Sequence, residues 1–310
     1  MYQIIRNVKK DYDFANISMG MEQNSIKVGF AQEQLEYLTF PGLSKIKGIR
    51  HLFSTRLGGV SKGVCATMNL SYSRGDEKEA VDENYNRIAK LLSIDSSQFV
   101  CSDQTHTTNV RVVTKEDMGK GVTIPKDYTD VDGLVTNEKG LALATFYADC
   151  VPLYFVDPVK QVIGLSHSGW KGTVARMGKA TVEKMTEVYG CNPQDIKAAI
   201  GPSICKHCYE VSDDVRQAYI KGIQDLSAEA QKEALSLVFY QKDEKQIAEN
   251  KYQMDLWMAN VLVMLGAGIL PENIEVTDIC TAHNPDYLFS HRKTNGKRGN
   301  LAAFLMLTDE

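Results

Sequence analysis

The chain has 310 residues, 43% of them hydrophobic and 24% charged, with a formal net charge of -4 at pH 7. That length is ample for a full hydrophobic core, and the mildly acidic balance argues against a nucleic-acid binder and implies no strongly basic face. No apolar run reaches the roughly 18 residues that a membrane span needs, so no membrane partner is expected.

At the start of the chain, Met1-Tyr2 runs quickly into Lys9, Lys10 and Asp11, without the apolar centre of a secretory signal. The seven cysteines, at 65, 101, 150, 191, 205, 208 and 280, are odd in number and irregular in spacing. They fit reduced thiols and a cytoplasmic protein better than a disulfide framework.

Residues 1–47 hold one candidate strand, Ser25 to Phe30, ahead of Pro41-Gly42, and read as an edge segment. A strand His51 to Thr55 leads into the glycine-rich stretch from Arg56 to Gly63. There backbone N–H groups could approach an anion and Arg56 could add a charge-assisted contact, although a solvated arginine on a plain hairpin fits equally well. Asn69-Leu70-Ser71 and Arg74-Gly75-Asp76 then form a candidate site edge before a helix. Val81, Tyr85, Ile88, Ala89 and Leu92 fall on one face of that helix, with Asp76 expected as its N-cap.

Beyond Cys101, the polar turn Ser102-Asp103-Gln104-Thr105-His106-Thr107 precedes an alternating strand from Asn109 to Thr114, which places His106 at a strand junction. Two apolar runs, Leu141 to Tyr147 and Leu153 to Val156, flank the turn Ala148-Asp149-Cys150-Val151-Pro152. A third, Gln161 to Leu165, delivers His167 into the small-residue stretch from Ser166 to Thr173, read as a turn that exposes side chains. Thr173 is expected to cap a helix to about Val188, which would put Lys171 beside an anion-favouring helix N-terminus.

After a strand Ile196 to Ile200 comes Cys205-Lys206-His207-Cys208. A single pair without a second at zinc-ribbon spacing reads as structural rather than metal-binding. Residues 212 to 250 look like a solvated helical insertion, and Tyr252 to Leu265 a largely buried helix. A strand Ile274 to Ile279, a basic loop from His291 to Arg298 suited to one phosphate or equally to a plain solvated turn, and a final strand Leu301 to Leu307 complete the chain. With no repeat or linker, residues 1–310 read as one α/β domain of mixed β-sheet layers flanked by helices.

His106, Cys150 and His167 each end or follow a strand. Such a set suits a catalytic zinc, since three protein ligands leave a fourth position open, and zinc brings the pKa of a bound water to about 7. The same residues also suit a metal-free thiol hydrolase with Cys150 as nucleophile and His167 or His106 as base. A closed zinc-stabilised binding module would need a fourth ligand from Cys280, His283 or His291. The residue chemistry leaves these readings open.

The order of short motifs adds to this. Ser54-Thr55-Arg56-Leu57-Gly58-Gly59, Asn69-Leu70, Asp103-Gln104-Thr105-His106, Asp132-Gly133-Leu134-Val135-Thr136, Ala148-Asp149-Cys150-Val151-Pro152, His167-Ser168-Gly169-Trp170-Lys171-Gly172, Gly201-Pro202-Ser203-Ile204 and Phe289-Ser290-His291-Arg292 occur in sequence. From about residue 50 onward the chain resembles a laccase-like, polyphenol-oxidase-labelled family now described as purine nucleoside phosphorylases, with human FAMIN as the animal relative.

The resemblance implies a fold similar to the catalytic domain of cytotoxic necrotizing factor and zinc held by His106, Cys150 and His167, with copper able to occupy the same ligands. It also implies phosphorolysis of adenosine, inosine and methylthioadenosine together with adenosine deamination. The expected partners are purine nucleosides and inorganic phosphate, in a monomer or homodimer. Arg56, Asn69, Gln104, Lys171 and Arg292 are the candidate substrate or phosphate contacts. Asp149 or Asp132 is the candidate proton carrier, because the glutamate of an H-x-E deaminase signature is missing after His106. Two departures stand out: Gln104-Thr105-His106-Thr107 replaces a common Gln-Val-His-Gly, and Lys171 a frequent arginine. With six histidines in the chain, a multicopper oxidase with a histidine-rich trinuclear cluster is disfavoured.

Overall fold

The computed structural model describes residues 3–6, 17–28 and 33–309. The early lysines and acid at 9–11 and the end of the first expected strand, Phe30, lie outside the described residues. Two large sheets dominate the mixed α/β architecture. One is seven-stranded, in the order Ser18–Met19, Ile274–Val276, Lys197–Ile200, Val151–Asp157, Val162–Ser168, Gly133–Thr136, Val110–Val112. The other is six-stranded, in the order Glu22–Val28, Glu33–Thr39, Ile49–Ser54, Leu301–Leu307, Ala142–Tyr147, Phe99–Cys101.

Side-chain alternation along the strands assigns the layers. Leu153 and Phe155 face helices Met177–Tyr189 and Leu256–Gly266 in a core with Val182, Met185, Trp257 and Val261. Their neighbours Tyr154 and Val156 point the other way, joining Ile163 and Leu165 against Leu143, Ala303 and Leu305 of the six-stranded sheet. That sheet's outer face, with Ala302, Phe304 and Met306, is covered by Val81, Tyr85, Ile88 and Leu92 of helix Lys78–Leu92. The result is helix, sheet, sheet, helix. Central strands buried on both faces explain the near-continuous apolar runs in the sequence. Truncating Ile88, which has no exposed surface, would cost about 2–5 kcal/mol.

Several local expectations are corrected. Helix Lys78–Leu92 has Glu77 at its N-cap, with no side-chain cap. Asp76 instead accepts from the Asn69 amide at 2.9 Å, which ties two loops together. His167 lies in no turn: the strand continues through Ser168, because its last residues pair with Pro152 and Val151 of the neighbouring strand. Nor does Thr173 start a long helix. A five-residue helix Trp170–Val174 is separated from Met177–Tyr189 by Arg176 at φ 62°, so no extended helix N-terminus faces Lys171. Residues 212–250 are helical in part, but they also contribute to a three-stranded sheet of Glu210–Ser212, Lys251–Met254 and Phe239–Tyr240.

Candidate metal centre and substrate clefts

Antiparallel register builds the site. Opposing His167 to Pro152 sets the imidazole beside the end of the turn that carries Cys150. On the other flank, Ser166 pairs with Gly133, which brings Asp132 level with His167. The His167 N–H donates to the Asp132 carbonyl at 2.8 Å, and its ring Nδ1 meets Asp132 Oδ1 at 2.7 Å.

The same carboxylate gathers the loop bearing His106. It accepts from the backbone N–H groups of Thr105, His106 and Thr107 at 2.9, 3.2 and 3.0 Å. One buried carboxylate thus orients the His167 ring, the usual arrangement behind a metal-binding imidazole, and fixes the backbone of the loop that carries His106. With Nδ1 of His167 occupied by Asp132, its Nε2 is left for a metal.

His106, Cys150 and His167 place one ligand atom each within 4.8 Å of one another. Cys150 Sγ and His106 Nε2 are 3.9 Å apart. Gly169 closes the approach: a Cβ there would lie 2.9 Å from His106 Cδ2 and 3.1 Å from Cys150 Sγ. Non-glycine residues carry left-handed backbone at this edge, His106 at φ 69° and Asp149 at φ 90°. Such geometry costs of order 1–3 kcal/mol per residue and is held by surrounding structure, typically at functional sites.

Burial alone would raise the Cys150 thiol, but the charge of His167 and hydrogen bonding with His106 and His167 bring it down to about 6. Burial also works against a charged His167, yet Cys150 and Asp132 together raise it to about 9. Asp132 stays below the ordinary carboxylate range, since the opposing effect of its burial is outweighed by the bonds from His167, Thr107 and Thr105. The donor set, a thiolate and two imidazoles with a carboxylate behind one, fits a borderline-soft ion with an open coordination position.

Clefts open on both sides of this set. One, of about 370 Å³, is lined by His106, Cys150 and His167 together with Arg74, Lys126 and Arg298. The second, of about 290 Å³, shares His106 and Cys150 and is lined by Trp170, Tyr209 and Leu256, with Asp149 and Lys171 at its polar edge. Both lie at the small end of the size range of small-ligand sites. Arg298 is buried, and burial together with the charge of Arg74 lowers it to about 10. Arg74 and Arg298 favour an anion here, whereas Lys126 is ion-paired with Asp103, which lines the same cleft.

The sequence candidates divide. Gln104 lines the cationic cleft but is committed to the backbone of Phe146, donating to its carbonyl at 2.8 Å and accepting from its N–H at 2.7 Å. Asp149 accepts from Thr281 Oγ1 and from the Arg292 N–H, both at 2.6 Å. Arg292 itself donates to the carbonyls of Glu210 and Cys208 and lies over Tyr209. Lys171 sits over the Trp170 ring.

Two candidates are corrected. Arg56 spends donors on the carbonyls of Ala66 and Pro285, at 2.9 and 2.6 Å, and packs on Phe289; it braces loops instead of facing either cleft. Asn69 is wholly buried, bonded to Ser71, Asp76 and Asn300. Sequence reasoning misses Arg74, Lys126 and Arg298 as site residues. The first and last lie in the candidate site edge and the basic loop, but only the fold shows that these loops meet.

A family model described as multi-copper polyphenol oxidoreductase laccase matches residues 50–308. The chain is 38% identical over 257 residues to the purine nucleoside phosphorylase YlmD of Bacillus subtilis, covering 82% of this chain and 86% of that one. It is 31% identical over 271 residues to a purine nucleoside phosphorylase of Bacteroides thetaiotaomicron, covering 87% and 96%. Human purine nucleoside phosphorylase LACC1 is 30% identical over 266 residues, covering 84% of this chain and 56% of the human one. The crystal structure of YlmD from Geobacillus stearothermophilus superposes with a TM-score of 0.77 at 31% identity, over 92% of this chain and all of that one. Among the described residues no helix is long and apolar enough to cross a membrane.

Proposed function

The chain belongs to the multi-copper polyphenol oxidoreductase laccase family, and we propose that it is a zinc-dependent purine nucleoside phosphorylase whose centre is His106, Cys150 and His167. The observation that carries this reading is the placement of that donor set between a cationic cleft and an aromatic one. A nucleoside undergoing phosphorolysis needs both: an anion site for phosphate and a flat apolar slot for the base.

Phosphate is held by Arg74 and Arg298, with Lys126 at the edge, while the purine packs between Trp170 and Tyr209. A phosphate oxygen then bonds to C1′ as the C1′–N9 bond breaks, and the electron pair leaves with the base. Asp149, the carboxylate at the aromatic cleft, carries the proton exchanged with the purine; Thr281 and Arg292 fix its orientation. Zinc would supply Lewis-acid polarisation at the junction. Asp132 keeps His167 oriented toward it.

Adenosine, inosine and S-methyl-5′-thioadenosine are the proposed substrates, with deamination of adenosine by water at C6 as a second activity of the same site. A multicopper centre is disfavoured on ligand supply. Of six histidines, His51 and His207 bond to Phe40 and Tyr240, and His283 belongs to a different cluster. Too few remain for a trinuclear copper centre. We place the enzyme in the cytoplasm as one catalytic domain, monomeric or homodimeric, with sheet layers similar to those of the cytotoxic necrotizing factor catalytic domain.

Purified protein incubated with each nucleoside, with and without phosphate, tests the reading by chromatography. Free base and ribose 1-phosphate, or methylthioribose 1-phosphate from methylthioadenosine, should form only with phosphate, and inosine should form from adenosine in either case. Turnover of a phenolic substrate with no turnover of any nucleoside would overturn it.

A further inference from the structure

Cys205, Cys208, Cys280 and His283 lie with one ligand atom each within 4.8 Å of one another. The sequence shows them as two halves, Cys-x-x-Cys and Cys-x-x-His, separated by 71 intervening residues between Cys208 and Cys280. The fold joins them because strands Lys197–Ile200 and Ile274–Val276 are parallel neighbours, so the segments leaving their C-terminal ends run side by side. Thr277 N–H donates to Ile200 at 2.9 Å, and Thr281 N–H to Ser203 at 3.2 Å. Each half then turns. Cys208 and Tyr209 both donate to the Cys205 carbonyl, at 3.0 and 3.1 Å, and Asn284 Nδ2 bonds the Cys280 carbonyl at 2.9 Å.

We infer that these four side chains form a second, structural zinc site that fastens the 201–210 segment to the 280–287 segment. Cys3His is a standard closed zinc set, and two x-x spacings meeting in space are the usual construction. A tetrahedron with Zn–S bonds of about 2.3 Å requires S···S edges of about 3.8 Å. The group is close to that size: all four ligand atoms lie within 4.8 Å of one another, and Cys205 Sγ and His283 Nδ1 are 3.9 Å apart against an S···N edge of about 3.5 Å. The Cys205 backbone N–H donates to Cys280 Sγ at 3.3 Å, the kind of supporting bond that stabilises a coordinated thiolate. All three cysteines are reduced, and two of them are buried.

The staple sits behind the substrate clefts. Ile204 N–H donates to the Asp149 carbonyl at 3.0 Å, and Thr281 Oγ1 holds the Asp149 carboxylate. Ile204 and Tyr209 line the aromatic cleft. The ion would touch no substrate, so its role is positional.

Metal content tests the site without reference to turnover. Full-length protein purified under reducing conditions and loaded with Zn(II) should hold two zinc per chain by plasma mass spectrometry, and the Cys150→Ala variant should keep one. Replacing zinc by Co(II) in Cys150→Ala should still give thiolate-to-metal charge-transfer absorption, which His106 and His167 alone cannot produce. Adding Cys208→Ser should weaken that band and loosen the metal, because only two thiolates remain, whereas His283→Cys should retain it. If the Cys208→Ser chain does not fold, the zinc count and Co(II) spectrum of Cys150→Ala still distinguish the outcomes. No charge-transfer band in Cys150→Ala, or a disulfide among the three cysteines in freshly isolated protein, would overturn the site.

Discussion

His106, Cys150 and His167 are three donors assembled by strand register, with a cleft on either side, whereas Cys205, Cys208, Cys280 and His283 are four donors assembled by two turns. The first set carries an oriented carboxylate and left-handed backbone at His106, and leaves a coordination position open. The second offers four donors, enough to close a tetrahedron around an ion. Ligand count thus separates chemistry from scaffolding within one chain: an open site offers a place for substrate, and a closed one contributes to folding.

The largest effect expected from breaking the contrast is at the open set. Cys150→Ala should lower nucleoside turnover by on the order of a thousandfold or more, while circular dichroism stays native. At the closed set the balance should invert. Cys280→Ser, which removes a fully buried ligand, should cost about 3 kcal/mol or more in denaturant unfolding measured with zinc present. A catalytic collapse of Cys280→Ser at unchanged stability would erase the distinction.

Subtler changes sharpen it. Asp132→Asn keeps the shape but weakens the hold on His167, and should reduce zinc affinity at the open set about 10–100-fold by competition with a chelating dye. Arg74→Ala should raise KM for phosphate about tenfold with little change in KM for the nucleoside, as expected when one charged contact to an anion is lost.

His51 provides the smallest test. It is buried like His167, though less completely, and no carboxylate is among the partners found for it; it accepts the Phe40 N–H at 2.9 Å, and burial lowers it to about 4. Because the unfolded chain binds the proton more readily between pH 4 and about 6.5, stability rises with pH across that window. Lowering pH from 7 to 5.5 should cost about 1 kcal/mol through this residue, and His51→Gln should flatten that part of the unfolding profile.

Much of the open site was legible because its residues follow apolar runs that are recognisable as strands. Cys150 and His167 end two such runs, and His106 follows a third. What the sequence hid depends on contacts between distant segments. His167 looked like a turn residue because Ser166-His167-Ser168-Gly169 is small and polar, yet pairing with Pro152 and Val151 extends the strand through it. Arg56 fitted an anion contact and a plain solvated arginine equally well; its guanidinium instead meets the Pro285 carbonyl, 229 residues away. Cys205-x-x-Cys208 looked incomplete because its other half is Cys280-x-x-His283, brought alongside by a parallel strand pair. Local pattern reveals elements; it does not reveal which loops share an end of a sheet.

Phosphorus NMR of inorganic phosphate with inosine, for the native chain beside Cys150→Ala, tests the central claim most directly. The account predicts that the phosphate signal is replaced by ribose 1-phosphate in step with hypoxanthine release, and that the variant leaves phosphate unconsumed. Phosphate untouched by folded, zinc-loaded native protein, or consumed equally by Cys150→Ala, would contradict it.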